Sequence, residues 1–569
     1  MRRQPALELR LLLLAPILFG FSLTMGDPDF WGVLAIGRDW VARGGFVAGG
    51  RLAAGLGLLT ADPYSYTAGD YPWINHEWGI SPIFYLVYSI AGRTGLTLLK
   101  IALELGILAV LLREAARQEV SWLGRWVLFI VALPAICLHL LTLRAGLFTA
   151  LFVALTCAVL LCARSQPRLL YIFAPLAAVW VNLHGAVVAG FAIVGLWWLV
   201  TLLLDPPSSR LLWIKQTLPA LVLSLLALLV NPYGIRLPLL IASAAFMPRP
   251  MITEWQPVFT SPVMSVIFVS WFGLCLVGWL ASPRDRRPAE ALVCIAATAQ
   301  AFLHFRHVSI AAIICFAFSA GHISAGLARL RDLVVERWPV AARGLRRTGP
   351  SPAPPSKYLR AVAAGLAIAI IIASLANIPF WIQSPIEFPF EAVATLKAAE
   401  FSGNLLVFFN WGEFVINRMS PGVLVSFDGR FETAYPPEIA AAHWAFYAGD
   451  PAGDVLLERF RTDGILLAAG WPACERLREN PDWEVAYEDE QSVIFLPTAP
   501  LPTAPMPAAP IPAAPESTRV SHRLTPAEPE IIAWIPEYSP WGAPTLRMPL
   551  LPDRPYEPAG RKFAGQQPY

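Results

Sequence analysis

The sequence predicts a polytopic α-helical membrane protein that carries a small C-terminal α/β domain. Of its 569 residues, 56% are hydrophobic and only 15% are charged, whereas soluble domains carry about 25% charged residues. The apolar residues are collected in blocks of about 20, the length that crosses a bilayer. Residues 382–497 instead alternate short β-type runs with amphipathic segments, which is typical of an α/β domain. The net charge of +3 gives no electrostatic reason to expect a nucleic-acid partner.

The apolar blocks predict about eleven transmembrane helices. They lie at residues 9–25, 95–113, 122–141, 145–163, 169–182, 185–204, 212–231, 262–281, 290–304, 307–325 and 360–380. A shorter aromatic run at 79–92 is interpreted as an interfacial helix or as part of a span. With this count the Arg-rich loops all fall on one side of the membrane. Because such loops are biased toward the cytoplasm, we place the N-terminus inside and the C-terminal domain outside.

Three segments follow from this pattern. Residues 1–381 form the predicted transmembrane domain, with a first outer loop at 26–78. Residues 382–497 form the outer α/β domain. Residues 498–569 are rich in proline, which favours polyproline II and prevents a packed core, so this tail is predicted to be disordered.

Within the outer domain the sequence predicts five strands and three helices. The strands are Leu405–Phe409, Val423–Phe427, Gly464–Ala469, Trp483–Tyr487 and Ser492–Leu496, and the helices are Glu391–Glu400, Pro437–Phe446 and Asp454–Arg461. Asn410-Trp411-Gly412 and Phe427-Asp428-Gly429-Arg430 end two of these strands. Open α/β sheets bind ligands at such strand ends, although tight turns explain the same residues equally well.

Cysteines and short motifs exclude several classes of site. Six of the seven cysteines lie inside apolar runs and only Cys474 lies in a polar region, so a disulfide framework is not expected. The sequence also lacks a phosphate-binding Walker loop, a nucleophile elbow and a zinc-binding HExxH helix. Soluble nucleotide-driven chemistry is therefore not supported.

The first outer loop begins with two carboxylates, Asp27 and Asp29, directly after the first span. Ionisable groups at that depth are costly and are either functional or paired. Two carboxylates with this spacing could share a divalent cation, or one of them could act as a general base. The structural alternative is a turn that caps a helix.

The same loop continues with Asp62, His76 and Glu77, surrounded by aromatic residues that suit the membrane interface. His76 and Glu77 are adjacent, so on a helix their side chains would diverge by about 100° and could not chelate an ion together. Each is instead expected to reach a lipid head group or to be an ordinary polar residue of the interface.

Four cationic or titratable residues are predicted at the outer ends of spans: Arg144, His184, Arg306 and His307. Arginine suits bidentate phosphate binding, and snorkelling to the interface is the alternative. His184 lies at a predicted break between two short apolar runs, where it could bind an anionic phosphate or satisfy freed backbone carbonyls.

Several motifs together resemble a bacterial family of GT-C-type membrane glycosyltransferase-like proteins, in the wider class of protein O-mannosyltransferases and lipid-linked sugar transferases. The motifs are Asp27-Pro28-Asp29-Phe30-Trp31, Gly37-Arg38, Asp62-Pro63-Tyr64-Ser65-Tyr66, Trp73 with Asn75-His76-Glu77-Trp78, Asn182-Leu183-His184-Gly185, Asn231-Pro232-Tyr233-Gly234, Glu254-Trp255-Gln256-Pro257, Arg306-His307 and Phe427-Asp428-Gly429-Arg430-Phe431. The resemblance covers the chain to about residue 497 and implies a GT-C-like fold in the bacterial inner (cytoplasmic) membrane.

The resemblance also implies a reaction. A sugar would move from a polyprenyl-phosphate donor to a glycan or protein acceptor on the extracytoplasmic face, with Asp29 or Asp27 removing the proton of the acceptor hydroxyl. Arg144, His184, Arg306 or His307 would bind the leaving phosphate, Asp62, His76 and Glu77 would contact substrate, and a divalent cation at Asp27 and Asp29 could assist. No other cofactor is implied.

This chain departs from the family pattern beside the predicted site. The family commonly reads Trp-Trp-His after its acidic motif, where this chain has Trp31-Gly32-Val33. A non-catalytic membrane scaffold or binding protein of envelope glycan assembly is therefore the alternative function. A transporter is disfavoured because Lys100 and Glu104 are nearly the only charges within the predicted spans.

Overall fold

The computed structural model describes residues 7–43, 62–68, 71–205, 209–245, 247, 249, 252–337, 356–381 and 388–499. The predicted disordered tail lies outside the described residues from residue 500 onward. The chain divides into two compact units, one made of residues 1–25 and 87–382 and the other of residues 26–86 and 383–569. The segment predicted as the first outer loop therefore shares a unit with the chain that follows residue 382.

Helices dominate the described residues, and all but one of those before residue 381 lie wholly or largely in the first unit. In chain order they are α1 (Leu7–Ser22), α2 (Pro28–Ala42, in the second unit), α3 (Ile80–Arg117), α4 (Trp122–Cys137), α5 (Gly146–Ala163), α6 (Phe173–Leu183), α7 (Val187–Leu204), α8 (Arg210–Ala227), α9 (Arg236–Ala244), α10 (Pro262–Ala281), α11 (Pro288–Leu303), α12 (Val308–Arg337) and α13 (Lys357–Asn377). Short 3₁₀ turns at Pro167–Ile172, Thr253–Trp255, Val258–Thr260 and Phe305–His307 link some of them.

The protein is a multi-pass membrane protein. Among the described residues, seven helices are long and apolar enough to cross a bilayer, namely α3, α5, α7, α8, α10, α12 and α13. Three further apolar stretches, α4, residues 167–183 and α11, are shorter. Every apolar block of the sequence overlaps a helix, but the count of eleven crossings and the orientation of the termini stay predictions.

Helix α3 explains the short aromatic run at 79–92. The helix continues through it to Arg117 but is interrupted at Gly92, whose φ of 58° and ψ of −149° are not helical. Glycine adopts this conformation without a steric cost because it has no Cβ. The run is thus a helical segment that ends at this kink, and whether it crosses the membrane by itself stays a prediction.

The two charged residues in the middle of α3, Lys100 and Glu104, form an ion pair. Lys100 Nζ lies 3.1 Å from the Glu104 carboxylate, and both side chains are fully buried. Lys100 also donates to the carbonyl oxygen of Phe21 at 2.9 Å, close to the end of α1. A buried ion pair needs such added hydrogen bonds to offset its desolvation, so we interpret this pair as part of the helix packing.

The second unit contains a five-stranded sheet. Its strands are β1 (Gly403–Val407), β2 (Val423–Val425), β3 (Gly464–Ala468), β4 (Trp483–Glu488) and β5 (Ser492–Pro497), in the order β2-β1-β3-β5-β4. The strands β2, β1 and β3 run parallel, while β5 runs antiparallel to both β3 and β4. All five predicted strands are present within a few residues of their predicted bounds.

Helices accompany the sheet. They are α14 (Phe390–Ala398), α15 (Gly412–Met419), α16 (Pro437–Tyr447), α17 (Val455–Arg459) and α18 (Pro472–Glu479). Three match predicted helices, whereas α15 and α18 were not predicted. Both are only eight residues long, too short for a clear helical repeat in the sequence.

Two segments from the N-terminal part of the chain complete this unit. The backbone at residues 64–66 runs beside β2, with Val425 N–H donating to Tyr64 O at 2.9 Å. Helix α2 contacts α15, where the Asn417 side chain donates to the carbonyl oxygen of Trp31 at 3.2 Å. These contacts place the motifs of the first outer loop beside those that end β1 and β2.

Candidate functional site

The two carboxylates that follow the first helix have different roles at the start of α2. Asp27 is the N-cap, and its carboxylate accepts the backbone N–H of Asp29 at 3.0 Å, with Pro28 in the first turn. Asp27 is 1% exposed, and Asp29 is partly exposed. The capping alternative is therefore confirmed for Asp27, which leaves Asp29 as the better candidate for a base. The positive end of the helix dipole favours carboxylates here.

A third acid, Glu413 at the start of α15, lies beside Gly429 together with Asp29. A Cβ built on Gly429 would be 2.7 Å from Asp29 Oδ1 and 3.1 Å from Glu413 Oε1, so both carboxyl groups lie against the same glycine. The other Glu413 oxygen accepts the backbone N–H of Gly32 at 3.2 Å. Sequence reasoning missed Glu413, although it directly follows the Asn410-Trp411-Gly412 motif that ends β1.

The surroundings of Glu413 disfavour its charge. Burial raises the pKa of the Glu413 carboxyl well above its usual range, and the nearby Asp29 and Asp428 carboxylates raise it further, with Arg430 acting in the opposite direction. A carboxyl group that is buried among like charges keeps its proton near neutral pH. We therefore treat Glu413 as a neutral group that can donate a hydrogen bond.

Arg430 holds two aspartates in the interior of the second unit. Its guanidinium lies 2.6 Å from Asp62 and 2.7 Å from Asp428, and the three side chains are 7%, 1% and 0% exposed respectively. Burial opposes the charge of Asp428, but Arg430 and the Tyr435 hydroxyl outweigh it and lower the pKa of that carboxyl. Asp62 is thus a buried partner of Arg430, and its contact with substrate stays a prediction.

The two strand-end motifs touch each other. A Cβ on Gly412 would lie 2.5 Å from the Cβ of Asp428 and would overlap the carbonyl oxygen of Phe427. Glycine at position 412 thus allows the chain leaving β1 to approach the chain leaving β2. The polar residues that end the two predicted strands lie together, and the close approach of the two segments, rather than a tight turn, accounts for this glycine, whose backbone is helical.

His76 and Glu77 do not lie on a helix, so the divergence expected for a helix does not apply to them. Residues 76–79 form a turn rather than a helix, and the Asn75 side chain accepts the Glu77 backbone N–H at 2.9 Å. In this turn His76 Nε2 lies 3.5 Å from the Glu77 carboxylate. The helical geometry on which the prediction depended is absent. Whether either residue contacts substrate stays a prediction.

In the first unit, Arg144 and Arg306 meet on one carboxylate, that of Glu254. Each guanidinium lies 3.0 Å from a Glu254 oxygen, and the side chains of Arg144, Arg306 and Glu254 are 30%, 31% and 21% exposed. Burial opposes the charge of Glu254, but the two arginines outweigh it and hold the pKa of its carboxyl well below the usual range. Two positive charges thus share one negative charge.

The ring of the next residue, Trp255, contacts two arginine and two histidine side chains. The guanidinium groups of Arg249 and Arg306 lie 4.4 Å and 4.5 Å from its ring centroid, within cation–π range. The rings of His304 and His307 contact the Trp255 ring at centroid distances of 5.2 Å and 5.8 Å. Arg306 and His307 were predicted, whereas Arg249 and His304 were not singled out. Such a partly exposed, net positive cluster can bind an anion.

His184 lies at the predicted break. Helix α6 ends at Leu183 and α7 begins at Val187, and His184 between them has an extended backbone. Its Nδ1 atom lies 2.7 Å from the Thr149 hydroxyl, which also accepts the indole N–H of Trp180 at 2.9 Å. The break is confirmed, and binding of a phosphate by His184 stays a prediction.

The predicted site residues thus fall into two groups. Asp27, Asp29, Asp62, His76 and Glu77 belong to the second unit, and Arg144, His184, Arg306 and His307 belong to the first.

Metal binding has no support among the acids of the second unit. Within the described residues, no three Asp, Glu, His or Cys side chains are arranged to hold a metal ion. The divalent cation at Asp27 and Asp29 stays a prediction.

Neither a protein-family model nor a curated protein sequence matches the chain. Among solved structures, the chain is similar to ArnT from Cupriavidus metallidurans, both in the apo state and bound to undecaprenyl phosphate. Each ArnT structure is 14% identical, with a TM-score of 0.46, over 86% of this chain and 97% of the ArnT chain.

The chain is also similar to a cryo-EM structure of the arabinofuranosyltransferase AftD from Mycobacteria. The identity is 14% and the TM-score 0.44, over 87% of this chain and 42% of the AftD chain. Likeness at this level does not establish an activity, which has to be inferred from the residues of the chain itself.

Proposed function

We propose that this protein is a membrane glycosyltransferase that moves a sugar from a polyprenyl-phosphate donor to an acceptor hydroxyl on the extracytoplasmic face. The observation that carries the proposal is the acid pair that opens α2. Asp27 caps the helix, and Asp29, two residues later, is a partly exposed carboxylate of the kind that can act as a general base. The sequence motifs around both residues resemble those of GT-C-type transferases.

Asp29 acts as the general base in this proposal. Its carboxylate takes the proton of the acceptor hydroxyl while that oxygen forms a bond to the anomeric carbon of the donor sugar. The bond from the anomeric carbon to the phosphate oxygen breaks, and the polyprenyl phosphate leaves with the bonding electron pair. A positioned base of this kind accelerates a reaction by about 10²- to 10⁴-fold.

The cluster of Arg144, Glu254 and Arg306 is assigned to the donor phosphate. It carries two guanidinium groups for one carboxylate, at 3.0 Å each, and all three side chains are partly exposed. Guanidinium groups match the geometry of phosphate oxygens, and the excess positive charge favours the phosphate monoester that the transfer leaves behind. His307 belongs to the same cluster through its contact with Trp255.

The direct test uses the purified full-length protein in lipid nanodiscs and polyprenyl-phosphate pentoses and hexoses with a tritium-labelled sugar. Transfer to the membrane glycan fraction is measured. We expect Asp29→Asn to reduce transfer by about 10²- to 10⁴-fold, because the amide cannot accept the proton. The matched control, Asp482→Asn, removes an exposed carboxylate in the same unit and should keep full activity. Normal transfer by Asp29→Asn would exclude Asp29 as the base.

Two further experiments test the divalent cation and the non-catalytic scaffold. Chelation with EDTA tests the divalent cation, because a metal-dependent enzyme loses transfer and regains it when the ion returns. If the unaltered protein transfers no sugar from any donor, but deletion of residues 498–569 releases a co-purifying partner, the non-catalytic scaffold is the better description.

A further inference from the structure

Position 32 in α2 has no room for a side chain. A Cβ built on Gly32 would overlap the carboxyl group of Glu413, and the Gly32 backbone N–H donates to Glu413 Oε2 at 3.2 Å. Both residues are buried. A larger residue at this position would therefore displace the carboxyl group. The close approach gives a physical reason for glycine at one of the two positions where this chain departs from the Trp-Trp-His pattern.

The other oxygen of the same carboxyl group lies beside Gly429, as does the Asp29 carboxylate. Glu413 Oε1 and Asp29 Oδ1 both lie against Gly429, at 3.1 Å and 2.7 Å from the position that a Cβ there would take. Glu413 thus contacts the backbone of α2 at Gly32 and shares its neighbour Gly429 with the Asp29 side chain near the start of the same helix.

The packing of α15 on α2 sets this position. Asn417, one helical turn after Glu413, donates to the carbonyl oxygen of Trp31 at 3.2 Å, and Arg38 donates to the carbonyl oxygen of Asn417 at 3.1 Å. Residues four apart lie on one face of a helix, so Glu413 and Asn417 both face α2. The packing of these two helices therefore fixes the position of the Glu413 carboxyl group.

We propose that Glu413 is the positioning residue of the Asp29 carboxylate, and that residue 32 must be glycine because the Glu413 carboxyl group occupies the adjacent space. One Glu413 oxygen accepts the Gly32 N–H, and the other carries the hydrogen that is donated to Asp29. The role of Glu413 in activity rests on the proposed function, whereas its coupling to position 32 does not.

The charged groups around Glu413 agree with a neutral carboxyl. They are Asp27, Asp29, Asp428 and Arg430, three acids and one base, and burial together with the acids raises the pKa of Glu413. A glutamine has nearly the same shape as a neutral glutamic acid and offers the same acceptor and donor. Glu413→Gln therefore separates a positioning role from a need for negative charge.

The first experiment measures kcat and KM for sugar transfer in Glu413→Gln and Glu413→Ala, with Glu479→Gln and Glu479→Ala as controls at an exposed position of the same unit. We expect Glu413→Ala to lower kcat by about 100-fold, the effect of misplacing a reacting group by about 1 Å, with little change in the KM of the donor. Glu413→Gln should retain most of kcat. Wild-type kcat in Glu413→Ala, or equal losses in both variants, would overturn the positioning role.

The second experiment is a double-mutant cycle of Gly32→Ala and Glu413→Ala, read by thermal unfolding in nanodiscs as well as by activity. We expect Gly32→Ala alone to be destabilising, and nearly harmless when Glu413 is already alanine, because the overlapping group is gone. Coupled sites depart from additivity in this way, whereas independent sites add. Additive losses would overturn the assignment of Gly32.

The two readouts keep the proposals distinguishable. If the unaltered protein transfers no sugar, the proposed function fails, and the thermal cycle still tests the contact between positions 32 and 413. If transfer occurs and Asp29→Asn abolishes it but Glu413→Ala does not lower kcat, only the role of Glu413 fails.

Discussion

The two units contain charge clusters of opposite composition. In the first unit, one carboxylate, Glu254, pairs with two arginines, and the three side chains are between 21% and 31% exposed. In the second unit, one arginine, Arg430, pairs with two aspartates, and the three side chains are at most 7% exposed. The first cluster has an excess positive charge and access to solvent, and the second has an excess negative charge and almost none.

This difference in burial suits one cluster to stabilising the fold and the other to binding a ligand. A buried arginine that holds two chain segments costs much free energy to disrupt, because its removal leaves uncompensated carboxylates. A partly exposed pair contributes little to stability but remains able to exchange its partner for a ligand. We therefore assign the Arg430 cluster to folding of the second unit and the Glu254 cluster to the donor phosphate.

The largest expected effect is that of Arg430→Ala. It leaves Asp62 and Asp428 buried without their cation, so we expect a loss of about 3–5 kcal/mol in the free energy of unfolding. Urea unfolding of the purified protein, followed by tryptophan fluorescence, measures it. Arg478→Ala removes a more exposed arginine of the same unit, with its side chain 31% exposed, and serves as the control. A loss no larger than that of the control would contradict the structural role of Arg430.

A smaller effect, on binding rather than stability, is expected for Arg306→Ala. Hydrogen bonds to charged groups contribute about 1.5–3 kcal/mol, so affinity for undecaprenyl phosphate should fall about 10- to 100-fold while the unfolding curve changes little. Arg210→Ala, at an exposed position of α8, is the matched control. Binding is measured by thermal shift against lipid concentration. Unchanged affinity in Arg306→Ala would remove this residue from the proposed phosphate site.

The smallest change in affinity is expected for Glu254→Gln. It distinguishes the two clusters most directly. The carboxylate competes with a phosphate for Arg144 and Arg306, so its neutralisation should tighten binding of undecaprenyl phosphate by a few-fold, in the direction opposite to Arg306→Ala. The equivalent change in the second unit, Asp62→Asn, should weaken folding without any gain in binding. If Glu254→Gln weakened binding, the carboxylate would be needed to orient the arginines rather than being a competitor.

The residues of the proposed reaction were only partly recoverable from the sequence. Asp27 and Asp29 stand out because they follow an apolar span directly, but the sequence left both capping and catalysis open for them. The hydrogen bond from Asp29 N–H to Asp27 separates their roles. Glu413 could not be predicted as a site residue because it lies in a helix of only eight residues. The residues of α2 that it contacts are far from it in the sequence.

What the sequence by itself determined is the set of local elements. Apolar blocks of bilayer length and short β-type runs depend on neighbouring residues only, so the helices of the first unit and the five strands of the second follow from hydrophobic pattern. Tertiary structure alone decided which polar residues meet, as with Asp62 and Arg430 or Gly32 and Glu413. Such pairs join segments hundreds of residues apart, and their contact depends on helix packing, burial and the space that a glycine leaves.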